Sequence, residues 1–184
     1  GGAGGGHPLR GALERGAKAA AWPWLTANIE ELQEDGSWIP WHPEGIAPWT
    51  VLESGGIRLG VIGLSTTETP QTTKGANVVD LRFLDVVDTV RRVLPQVEAE
   101  GVDAIAIVGH LAGSCPAEGD APCTPTGEIK RLVEELPPGA VDLIVSGHSH
   151  TAIADRLGDT LVVQNYAKGQ AVGHVELAFT NGRF

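Results

Sequence analysis

Two continuous apolar runs, VDAIAIVGH (102–110) and VDLIVSGH (141–148), constrain this 184-residue chain more than any other feature. Each opens on Val-Asp, continues through aliphatic residues with no polar alternation, and stops at Gly-His. A strand that is apolar at every position is buried on both faces, and such strands belong to parallel sheets covered by helices. The intervening residues supply those helices. Phe83, Val86, Val87, Val90, Leu94 and Val97 fall at helical spacing and predict an amphipathic helix over 82–99. Ile129, Leu132, Val133 and Leu136 predict another, with Thr124 or Thr126 as N-cap and Pro125 near its start. Helix and apolar strand in alternation place the chain in the α/β class.

The remaining segments add to this frame. ALERGAKAAA (12–21) reads as a short helix interrupted by Gly16, and Leu25 to Ile29 as a short strand. Residues 30–50 hold three of the five tryptophans among turn formers, a loop with short strands. Thr50–Glu53 and Ile57–Leu64 flank a Ser-Gly-Gly turn and predict a hairpin, followed by the polar loop STTETPQTTKG. TLVVQN and AVGHVELAF, unlinked by helices, are expected to finish the sheet as antiparallel β-structure. The length suits one domain with a sizeable core. A formal charge of −10 argues against nucleic-acid binding through a basic surface, and no apolar run approaches the roughly 18 residues of a membrane span. The opening GGAGGGHPLRG (1–11) is too Gly-rich to fold by itself, so 12–184 are expected to carry the fold.

The chemistry lies where the apolar strands end. Ligands of α/β sheets bind outside the carboxyl ends of parallel strands, so neighbouring strands would deliver His110 and His148 to one rim. His150 follows two residues after His148, and in an extended segment both would face the same side. Three imidazoles converging on one rim of an acidic protein suit zinc, manganese or iron. His42, in a Pro-flanked loop, and His174, inside AVGHVEL, have no such company and are expected to be ordinary polar residues.

GHSH after VDLIVS resembles the GH-x-H motif of the calcineurin-like metallophosphoesterases, and VGHLAG resembles that superfamily's isolated metal-binding histidine. WPWLTANI is similar to the FPxLxANI segment of the bacterial 5'-nucleotidase and 2',3'-cyclic phosphodiesterase group, and GIRLGVIGLSTTETP to a second segment of that group. The resemblance runs from about Ala12 to Leu177. It implies a partial four-layer α/β/β/α metallophosphoesterase sandwich with a mixed sheet, of which 12–184 form the C-terminal portion. It further implies that His110 and His148 ligate one divalent ion and His150 a second, in a dinuclear centre that hydrolyses phosphate esters of nucleotides. The other ligands of such a centre come from D-x-H, GGD and GNH motifs, and neither D-x-H nor GNH occurs in these 184 residues. Gly119-Asp120 and Gly158-Asp159 are expected to be surface turns. The chain is therefore expected to lack the N-terminal half of its domain, to hold at most one ion weakly, and to carry no complete set of catalytic residues.

Cys115 and Cys123 bracket a Pro- and Gly-bearing loop just after His110. They can close a small disulfide, the favoured expectation, or stand as free thiols or soft ligands beside His110. A disulfide implies an oxidising compartment, and the resemblance points equally to the periplasm or cell surface. The alternatives are a 2',3'-cyclic-nucleotide phosphodiesterase or 3'-nucleotidase, a thiosulfohydrolase on the same fold, and a non-catalytic metal-binding remnant. A nucleotide-binding α/β domain is disfavoured, since neither G-x-G-x-x-G nor a P-loop is present.

Overall fold

The structure is a computed structural model in which residues 10–115 and 124–179 are described. Helix α1 (Gly11–Ala19) is followed by the short strands β1 (Trp24–Leu25), β2 (Ile29–Leu32), β3 (Trp38–Pro40) and β4 (Ile46–Ala47). The hairpin β5 (Trp49–Ser54) and β6 (Ile57–Ser65) leads to a single helical turn α2 (Thr69–Thr72) and to β7 (Leu81–Phe83). Next come α3 (Val86–Glu98), β8 (Ala104–His110), α4 (Gly127–Glu135) and β9 (Leu143–Ser146), then the hairpin β10 (Ile153–Leu157) and β11 (Thr160–Gln164).

Among the described residues the main sheet has the order β10-β11-β9-β8-β6-β5. Its four inner strands run parallel, and the hairpin partners β5 and β10 close the edges antiparallel. The α/β class is as the apolar runs require, and the two antiparallel edge pairs make the sheet mixed. The first hairpin turns at Gly55 and Gly56, whose φ values of 60° and 81° are the left-handed pair that a two-residue turn matching strand twist demands. Gly158-Asp159 is the turn of the second hairpin, as expected, while Gly119-Asp120 lies outside the described residues.

Helix α3 covers the sheet with Val86, Val87, Val90 and Val97, all 0% exposed, against Ile62, Ile107, Ile144 and Val162. Each such burial contributes about 1.5–3 kcal/mol. Helix α4 adds Ile129 and Leu132 to the same layer. The helix begins later than periodicity alone suggests because Asp85 caps it, accepting from the N–H groups of Val87 (3.0 Å) and Asp88 (3.1 Å). Phe83 consequently leaves the helix for β7, where it pairs with Ile29. On the other face of the sheet Gly63 lies against Leu25 of β1, and Val61, Ala104, Ala106 and Leu143 are buried.

Three segments differ from the sequence pattern. The strand expected over 25–29 is split at Asn28, a fully buried side chain that donates to the carbonyls of Ser65 (2.7 Å) and Leu84 (3.0 Å) and accepts from the Ser65 N–H (2.9 Å). Strand β10 arises from IADRL, whose charged middle hides its β character until β11 pairs with it. AVGHVELAF forms no strand: residues 171–179 carry no regular secondary structure, and Val172 stands 92% exposed. Of the Gly-rich opening, 1–9 lie outside the described residues, and Arg10 is buried between Asp80 and Glu31. No helix of the described residues is long and apolar enough to cross a membrane.

Candidate metal centre

Strands β8 and β9 are parallel neighbours, so their carboxyl ends deliver His110 and His148 to one rim, where the Gly-His endings place them. The ring nitrogens His110 Nε2 and His148 Nδ1 face each other at 2.9 Å, and the rings meet edge to face with centroids 4.7 Å apart. On its far side His148 Nε2 lies 3.0 Å from Glu68 Oε2. The carboxylate accepts, so Nε2 of His148 carries the proton and Nδ1 is an acceptor turned toward His110. A carboxylate on the outer nitrogen of an imidazole is the arrangement that fixes the tautomer of a metal-ligating histidine.

His150 is exposed, and its charge acts on His110. Burial, then the neighbouring His148 and His150, hold His110 below the usual imidazole value, against the opposing field of Glu128. The segment carrying the pair is not extended. His148 and His150 both adopt left-handed backbone, with φ of 81° and 57°, so they sit on a tight turn immediately after Gly147. Between them the side chain of Ser149 points inward and donates to the Gly113 carbonyl.

Gly109 belongs to packing and not to ligand approach: a Cβ there would come within 2.6 Å of the Leu64 carbonyl. His42 Nε2 donates to the Thr26 carbonyl (3.0 Å), and His174 lies in the strandless segment 171–179, both remote in sequence from the rim. Cys115 is disulfide-bonded and packs partly buried against the main core. Cys123, its expected partner, lies outside the described residues.

A floor of buried polar residues supports the rim, and sequence pattern alone singles out none of them. Glu128, at the start of α4, accepts from the N–H and hydroxyl of Thr67, both at 2.8 Å, and from the Ala112 N–H at 2.7 Å. Its own N–H donates to the Ala112 carbonyl (2.7 Å). One carboxylate thereby joins the loop bearing Glu68 to the loop bearing His110. Gln164, 1% exposed at the end of β11, contacts the GHSH turn. The available signal is phase: Glu128 adjoins the buried Ile129 on α4, and Gln164 shares the face of Val162. A polar residue on a buried face needs partners.

Two imidazole nitrogens on one tetrahedral ion stand roughly 3.3 Å apart, close to the 2.9 Å between His110 and His148. The pair therefore fits an ion that draws its other ligands from elsewhere. Among the described residues no group of three or more His, Cys, Asp or Glu side chains is placed to hold a metal.

Scanned against models of known families, the chain matches none. It is 32% identical over 149 residues to a cell wall protein, Lmo0130, of Listeria monocytogenes, covering 77% of this chain and 19% of that protein. A 5'-nucleotidase of Vibrio cholerae is 26% identical over 201 residues, covering 97% of this chain and 34% of the relative. Among solved structures, a 5'-nucleotidase precursor of Thermus thermophilus superposes with a TM-score of 0.62 at 27% identity, covering 85% of this chain and 30% of its own. The chain thus spans between 19% and 34% of the lengths of these relatives. The mixed sheet and these likenesses agree: the chain is homologous to part of the 5'-nucleotidases and shares the fold of a calcineurin-like phosphoesterase.

Proposed function

We propose that residues 12–184 are the C-terminal portion of a catalytic domain and supply half of a dinuclear site for hydrolysis of nucleotide 5'-phosphates. The observation that carries this reading is the facing pair His110 Nε2 and His148 Nδ1, with Glu68 on the outer nitrogen of His148. In this reading His110 and His148 hold one divalent ion of the zinc, manganese or iron type, and His150 belongs to the second. Bound ions of this kind polarise the phosphoryl oxygens and lower the pKa of an attacking water. The chain's own residues orient the donors: Glu68 keeps the proton of His148 on Nε2, so Nδ1 presents its lone pair toward His110. Divalent cations also reconcile an anionic substrate with a chain whose formal charge is −10.

The remaining ligands, and the acid that protonates the leaving alcohol, are assigned to a segment bearing the D-x-H, GGD and GNH motifs. The 184-residue polypeptide alone is accordingly expected to hydrolyse phosphate esters weakly or not at all. Placement of the working protein in the periplasm or outside the cell, with a role in nucleotide catabolism, rests on the Cys115 disulfide and on the 5'-nucleotidase relatives. A second reading, a non-catalytic metal-binding remnant, draws on the lack of a three-ligand group among the described residues. Fusing the chain behind a segment that carries the three motifs separates the two. Manganese- or zinc-dependent release of phosphate from AMP by the fusion, lost on His148→Ala, supports the hydrolase. A folded fusion that binds metal and cleaves neither AMP nor p-nitrophenyl phosphate supports the remnant.

A further inference from the structure

We infer that Gln164 is the positioning residue of the His148–His150 turn, an assignment that builds on the metal-site reading of that turn. Gln164 ends β11 and is paired in register with Ser146 of β9 and with Ile153 of β10. Its side chain therefore lies beneath the connection that runs from one neighbour to the other. Four contacts fill its amide. Oε1 accepts from the Ser146 hydroxyl (3.0 Å), and the two hydrogens of Nε2 are shared among three acceptors, Ser149 Oγ (2.7 Å), Thr151 Oγ1 (2.9 Å) and the Thr151 carbonyl (3.0 Å).

The orientation of the amide follows from chemistry, because the Thr151 carbonyl can only accept and must face the NH2 group. One buried side chain thus grips the turn before Gly147, at its middle residue, and just after His150. Ser149 passes the link on to the Gly113 carbonyl, three residues beyond His110. Left-handed backbone at two non-glycine residues is unfavourable and persists only where the surroundings over-determine it. Gln164 is the group at that place. With Ser149 held inward from below, His148 is left facing His110 across the rim.

Replacing Gln164 by Ala removes every contact, and by Glu keeps the shape while replacing the NH2 donor with an oxygen. The test uses the 184-residue chain, reading the 13Cα and 13Cβ shifts of His148 and His150 without metal and the affinity for zinc alone. Both variants are expected to move the two histidines off their left-handed shifts and to weaken zinc binding by about tenfold to a hundredfold. Val162→Ala, on the same face of β11 and 0% exposed, is expected to lower the melting temperature without either change. Should Gln164→Ala fail to fold, Gln164→Glu and Ser149→Ala carry the same comparison. Unaltered histidine shifts in folded Gln164 variants, or equal displacement by Val162→Ala, overturn the assignment. A wild-type chain that binds no zinc counts against the metal-site reading, while the shifts still decide the role of Gln164.

Discussion

Glu128 is the residue whose replacement distinguishes a rim built on a buried carboxylate from one that rests on helix α4 alone. In Glu128→Gln the side chain keeps its volume, but one of its two acceptor ends becomes a donor. If the NH2 group faces Ala112, the Ala112 N–H loses its acceptor; if it faces Thr67, the Thr67 N–H does, since only the hydroxyl can reverse its role. Either arrangement strands one backbone N–H in a buried setting, a loss of about 1–3 kcal/mol. Glu128→Ala strands both N–H groups and approaches about twice that loss. For a chain of this length each kcal/mol lowers the melting temperature by about 2–4 °C. Urea unfolding measures the free energy, and amide hydrogen exchange locates it, with the expected loss of protection at Thr67 and Ala112. Removing the carboxylate charge also takes away the field that raises the His110 pKa, so His110 titrates lower still, read by NMR. A first-turn acid acting only on the helix dipole contributes about 0.3–1 kcal/mol. A Glu128→Gln loss within that range or smaller, with Thr67 and Ala112 still protected, would refute the clamp.

Asp85 governs acid stability: burial opposes its ionisation, but Arg131 and the N–H groups of Asp88 and Val87 outweigh it and hold the carboxyl below its usual range. A carboxylate lowered in the folded state stabilises above its unfolded pKa, near 4, and that contribution is lost as pH falls through the folded value. Asp85→Asn is therefore expected to flatten the acid limb of stability against pH, and Asp85→Ala to cost about 0.5–2 kcal/mol at neutral pH through the lost cap. Gly63→Ala would drive a methyl group into the Cβ and backbone of Leu25 and is expected to cost about 3 kcal/mol or more. Gly75→Ala meets nothing within 4 Å and serves as its neutral control in thermal unfolding. Thiol titration of the unfolded, unreduced chain is expected to find no free cysteine, and reduction to cost roughly 2.5 kcal/mol for a loop of about nine residues. Two reactive thiols would remove that support for an oxidising compartment.

The sheet was legible because its central strands are apolar throughout and end alike, so the same two runs disclose both the fold and the rim. Asp85 shows how local hydrogen bonding overrides periodicity, starting α3 where a cap is available and not where the apolar phase begins. Residues 171–179 show the converse, a β-like pattern that takes no strand conformation. His110 and His148 could be brought together on paper because strand ends are neighbours in a parallel sheet. Glu68 and Gln164 could not. Glu68 reaches His148 across 80 positions, and Gln164 acts through a turn whose left-handed backbone no pattern announces. Long-range polar contacts of this kind depend on a register that exists only once the sheet has formed.

Metal binding by the histidine set probes the centre of the account most directly. Titrating the chain with cobalt(II) and following its visible ligand-field absorption reports imidazole coordination without any need for turnover. Wild type is expected to bind one ion weakly, with binding abolished in His110→Ala and His148→Ala and retained in His42→Ala and His174→Ala. Equal affinity in the rim variants and the wild type, or equal loss in the two remote variants, would contradict a metal centre at the ends of β8 and β9.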